Sequence, residues 1–143
     1  MNRLSAIKIQ SSKPYFPETD RKLIQEEINK ILTSGRLTQG PWVEKFEAAF
    51  ADYVGTQYAI ATNSGTSALE ILLRYYQVKD GEVIVPTNTF LATANAVIFA
   101  GGKPVLADIS ADSLCLDSAK LSEKISQQTR GVIAVHIAGL ICP

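Results

Sequence analysis

The residues best suited to chemistry lie in Ala61–Leu73, ATNSGTSALEILL. A run of strand-forming residues enters Asn63-Ser64-Gly65, and a helix-forming run opens at Thr66-Ser67. Small residues let a backbone turn sharply and come close to a ligand. The N–H groups of Gly65, Thr66 and Ser67 are then expected to point at one spot at a helix N-terminus, and the hydroxyls of Thr66 and Ser67 add donors. Such a spot binds phosphate. The same residues also make an ordinary helix N-cap, and the turn alone does not separate the two. No lysine follows the glycine as in a Walker loop, and the spacing is not G-x-G-x-x-G, so neither a nucleoside triphosphate nor a dinucleotide is favoured.

The second segment is EVIVPTNTFLATANAV, Glu82–Val97. A strand ends near Pro86, a polar turn follows, and Phe90 opens the next helix. An aromatic side chain beside a phosphate site can stack on a flat heterocycle; read alone, the segment places Phe90 in the core. Asp108 closes the strand in GGKPVLADI and is a candidate catalytic carboxylate or, more plainly, a loop cap. His136, the single histidine, ends another strand as a structural group or a candidate at the ligand edge. Cys115 and Cys142 lack metal-ligand spacing and read as free thiols, not a disulfide or a zinc site.

The elements that must carry these residues follow from periodicity. A helix is predicted over Glu18–Ser34, with Ile24, Ile28, Ile31 and Leu32 on one face, Glu18 and Asp20 in the first turn and Gly35 ending it. A second begins at Pro41 or Trp42, and its stripe of Trp42, Phe46, Ala49, Phe50 and Tyr53 reads as core or interface. From residue 57 strands and helices alternate. Strands are predicted at Tyr58–Thr62, Val83–Pro86, Pro104–Ile109 and Gly131–Ile137, near-continuously apolar like strands buried on both faces of a parallel sheet. Helices are predicted at Thr66–Tyr76, Phe90–Ala100 and Asp117–Ser126. Leu69, Leu72, Leu73 and Tyr76 should share one face of the first, and Phe90, Ala94, Val97 and Ile98 one face of the second. The pattern divides the chain into a helical segment, residues 1–56, and an α/β part, residues 57–143. No helix follows the last strand, which suggests a piece of a larger protein.

Composition narrows the partners. A 46% hydrophobic and 20% charged chain can build a core and is not of the disordered class. Fourteen basic residues balance fourteen acidic ones, so no cationic surplus calls for nucleic acid or an anionic membrane. MNRLSAIKIQSSKPYF lacks the apolar core of a secretory leader, and no apolar run reaches membrane-spanning length. The expected location is cytoplasmic.

Four segments in order carry a resemblance: GRLTQGPWVEKFEAAFADYVG (Gly35–Gly55), YAIATNSGTSALEILL (Tyr58–Leu73), GEVIVPTNTFLATANAVIFAGGKPVLADI (Gly81–Ile109) and TRGVIAVHIAGL (Thr129–Leu140). Together they resemble the DegT/DnrJ/StrS aminotransferases from about Phe16 onward. The resemblance implies an α/β fold, the N-terminal part of the fold type I aminotransferase large domain, with a mostly parallel sheet and flanking helices. It implies pyridoxal 5'-phosphate as cofactor, a nucleotide-linked keto sugar as acceptor, glutamate or glutamine as amino donor, and a homodimer. It assigns the cofactor phosphate to Gly65, Thr66 and Ser67 and the face of the pyridine ring to Phe90. It sets Thr38-Gln39-Gly40 near the mouth of the site and His136 in a V-H-x-x-G segment beside it, with no assigned role. It also implies that the aspartate facing the pyridine nitrogen and the cofactor-linking lysine come later than Pro143, as does the small domain. Lys79 and Lys103 do not match that lysine. On this reading no catalytic residue lies in the chain, and the piece is expected to be inactive alone. A sugar dehydratase, in which histidine replaces the lysine, and a non-catalytic remnant or accessory subunit are the alternative expectations.

Overall fold

The structure, a computed structural model, describes residues 12–143; the first part of the stretch read as lacking a leader lies outside them. Two compact units result, one running to Ala61 and the other spanning Thr62–Pro143.

The first unit holds α1 (Glu18–Ser34) and α2 (Pro41–Val54). Both end where a glycine takes the left-handed conformation, Gly35 at φ 67° and Gly55 at φ 73°, and returns its N–H to the last turn. Exposed pairs Glu18–Lys22 (3.0 Å) and Glu27–Lys30 (2.7 Å) support α1 locally. The aromatic stripe of α2 does not form a core. Trp42, Phe46, Phe50 and Tyr53 are exposed, and Ala51 is the buried residue of this helix. In α1 the predicted face of Ile24, Ile28 and Leu32 is exposed as well. Among the described residues no further layer packs over either stripe.

The second unit is α/β. Its order is α3 (Gly65–Tyr75), β1 (Glu82–Pro86), α4 (Ala92–Phe99), β2 (Lys103–Ala107), α5 (Ser118–Lys124) and β3 (Thr129–Val132), with a 3-10 turn at Ile137–Gly139. The sheet is parallel in the order β2-β1-β3. Glu82 pairs with Lys103, and the register runs to Pro86 with Ala107. On the other side Ile84 pairs with Val132, and the ladder continues as Ile133 N–H donates to Ile84 O at 2.9 Å. The central strand is buried on both faces, as a continuous apolar run requires. Val83 and Val85 pack with Leu73, Val78, Ala96, Val97 and Ala100. Ile84 faces the opposite way, toward Ala107 and Leu116. Side chains alternate along a strand, so this one strand anchors two cores.

Four expectations are corrected. Residues 58–62 form no strand: Tyr58 and Ile60 are exposed, and a strand exists only where a neighbour completes its ladder, which none does here among the described residues. Of the face predicted for α4, Val97 is buried and Ala94 packs beside the same core, whereas Phe90 precedes the helix, which starts at Ala92, and Ile98 is exposed; Thr93 and Ala96 complete the buried face. In α3 Leu73 is buried and Leu69 packs beside it, whereas Leu72 and Tyr76 face outward. The last strand ends at Val132, five residues early, because its ladder with β1 runs out at Ile84, the last β1 residue it pairs or bonds with.

Candidate functional site

Connectivity sets the site. The C-terminus of α3 leads to the start of β1, so the N-terminus of α3 lies toward the C-terminal end of β1. The chain leaves β1 at Pro86, and α4 begins at that same edge. α3 and α4 pack side by side. The turns around Gly65 and Phe90 therefore open on the edge where α/β sheets bind ligands.

At the start of α3, Ser64 is extended (φ −163°, ψ 157°), and its Oγ accepts the Ser67 N–H at 3.1 Å. Ser64 O accepts the Ala68 N–H at 3.1 Å and the Thr62 hydroxyl at 2.9 Å. The Oγ atoms of Ser64 and Ser67 lie 3.1 Å apart. Cap and anion site are thus not exclusive. Ser64 takes the N–H of Ser67, which is no longer free as expected, while the N–H groups of Gly65 and Thr66 meet no acceptor among the described residues. A Cβ on Gly65 would meet nothing within 4 Å, so the space above them is open. No acidic residue sits in the first turn of α3 to offset the positive end of its dipole. Two unpaired donors, an open approach and the Thr66 hydroxyl fit a phosphate group.

Phe90 is not in the core. It sits on the turn before α4 with 81% of its surface exposed. Its carbonyl accepts the Thr93 N–H at 3.0 Å, and Thr89 Oγ1 and Thr93 Oγ1 are 2.8 Å apart. Asn88 Nδ2 donates to Leu114 O at 3.3 Å. The sequence signal of this threonine pair is T-x-x-x-T across a helix start, Thr89 to Thr93.

His136 lies beyond β3, exposed, and its Nδ1 accepts the Cys142 N–H at 2.9 Å. Asp108 does not cap the following loop with its carboxylate. Asp117 caps α5 instead, accepting from Ala119 N–H at 2.8 Å, and the Asp108 carbonyl receives the Asp117 N–H at 3.1 Å. Lys103 stands at the opposite sheet edge, 3.0 Å from Glu82. Glu82 also accepts the Ser126 hydroxyl at 2.7 Å; that bond first, then Lys103, holds its carboxyl below the usual range. Cys115 and Cys142 are free thiols. The described residues contain no cluster of three metal-ligating side chains and no helix long and apolar enough to cross a membrane. In the first unit, Thr38, Gln39 and Gly40 line a cleft of about 410 Å³ with Lys30, Arg36 and Trp42.

The parallel sheet and its flanking helices, with the open start of α3 and the exposed Phe90 ring at one edge, have the fold of the fold type I aminotransferase class, as the likeness to solved aminotransferases shows. The chain is a member of the DegT/DnrJ/EryC1/StrS aminotransferase family, whose sequence profile matches residues 18–143. It is 38% identical over 137 residues to the 3-oxo-glucose-6-phosphate:glutamate aminotransferase of Bacillus subtilis, covering 90% of this chain and 31% of that protein. It is 44% identical over 104 residues to GDP-perosamine synthase of Caulobacter vibrioides, covering 72% and 28%. The structure of NtdA from Bacillus subtilis with bound cofactor PMP superposes with a TM-score of 0.80 at 35% identity, over 93% of this chain and 32% of that one. The chain spans just under a third of the length of these relatives.

Proposed function

We propose that the protein is, or is part of, a pyridoxal-phosphate-dependent aminotransferase. It transfers an amino group from glutamate or glutamine to the keto group of a nucleotide-linked sugar, as a cytoplasmic homodimer. The observation that carries this reading is the edge where the unpaired Gly65 and Thr66 N–H groups and the exposed Phe90 ring open together. Glutamate appears in the name of one relative and a GDP-linked sugar in that of another, which supports the choice of donor and acceptor.

Pyridoxal phosphate, when bound, supplies an electron sink that lets an amino group and a carbonyl oxygen be exchanged. The residues of this chain bind and orient it. Gly65 and Thr66 donate their N–H groups to the phosphate, with the hydroxyls of Thr66 and Ser67 beside them. Ser64, by holding the Ser67 N–H, keeps the helix start rigid while two donors stay free. The Phe90 ring covers one face of the pyridine and excludes water there. In this reading the cofactor-binding part is residues 57–143, and residues 1–56 form the helical segment before it.

The test is calorimetric titration with pyridoxamine phosphate, which does not react with surface lysines as the aldehyde does. Saturable binding competed by inorganic phosphate is expected. Thr66→Val should weaken it roughly tenfold, the value of one hydrogen bond to a charged group. Absence of saturable binding, or binding indifferent to phosphate and to Thr66→Val, would sink the reading.

A further inference from the structure

An aromatic side chain as exposed as Phe90 can serve as a ring platform only if its backbone is held. The usual device is missing: α4 starts at Ala92, and its N-cap Leu91 makes no side-chain cap bond. The turn is held instead by Thr93. This residue is 6% exposed and is the polar member of the buried set among the described residues. Its hydroxyl lies 2.8 Å from Thr89 Oγ1, across the residues that contain Phe90. Its N–H donates to Phe90 O at 3.0 Å. The amide of Asn88 ties the front of the same turn to Leu114 O. Phe90 is therefore closed between two residues clasped to each other.

A buried hydroxyl is costly unless it is hydrogen-bonded, and valine would fill the same volume. The Thr89–Thr93 bond gives the hydroxyl its use. We propose that Thr93, through Thr89, is a positioning residue that fixes Phe90 for the pyridine ring of the cofactor. This rests on the reading of Phe90 given above.

The experiment is a double-mutant cycle on pyridoxamine phosphate affinity. Thr93→Val should weaken binding about 3- to 10-fold, up to the worth of the stacking contact it misplaces, and Thr93→Ser should restore it to within about twofold. In a Phe90→Ala background Thr93→Val should have no further effect, because the group it acts through is gone. A loss of equal size in both backgrounds, or no loss in either, overturns the positioning role and leaves the Phe90 reading standing. Phe90→Ala binding as tightly as the parent overturns both. A second readout needs no cofactor. With 4-fluorophenylalanine at position 90, the fluorine resonance should move toward its unfolded position in Thr93→Val and return in Thr93→Ser. An unmoved resonance overturns the clasp whatever the affinity.

Discussion

Ser64 does two things with one oxygen. It stops the Ser67 N–H from being a free donor, and it leaves the next two N–H groups upstream unshared. Removing it trades stability for an additional donor. Ser64→Ala should cost about 1 kcal/mol, the usual worth of a serine N-cap, read as a lower urea midpoint at unchanged slope. At this scale the sequence was informative about identity and less so about geometry. Gly65, Thr66 and Ser67 were picked out by type and order. That one of their three N–H groups is taken by the cap depends on the extended φ/ψ of Ser64, which no residue type dictates. Phe90 is the reverse case. Hydrophobicity argued for burial, yet two threonines and a helix beginning two residues later turn it outward.

Among elements, β1 sets the terms. Its neighbours bear on it at both ends: at the N-terminal end Glu82 reaches Lys103 of β2 and Ser126, three residues before β3. The Glu82 carboxyl is held below its ordinary value of 4.5, first by the Ser126 hydroxyl and then by Lys103. A carboxyl whose folded value is depressed adds stability above its unfolded value and loses it as pH falls through the folded one. Glu82→Gln should therefore lower the melting temperature at pH 7 and leave it nearly unchanged well below pH 4. A pH series of thermal melts that stay parallel for the two proteins would contradict this. The helices were legible because α1 and α2 carry stop signals at Gly35 and Gly55, and α3 a small-residue start. The strands were legible where a partner exists. Tyr58–Thr62 has the composition of a strand and no ladder to join, and a period or a propensity does not contain the partner.

At the scale of the whole molecule, the two units are unlike. One is a pair of helices with apolar stripes turned outward, and the other has a core on each face of a central strand. A chain that spans a third of its relatives and leaves Trp42, Phe46 and Phe50 exposed has surface that suits an association. The contrast between β1 and the start of α3 also has a consequence in solvent deuterium. The amides of Val83, Ile84 and Val85 are sealed between two strands and two cores, so they should exchange only when the second unit opens globally. The amides of Gly65 and Thr66, with nothing to accept them, should exchange near the rate of an unfolded chain until a phosphate shields them. A single exchange map then carries two gauges: its slowest amides measure how firmly the unit is folded, and its fastest record whether the helix start is occupied.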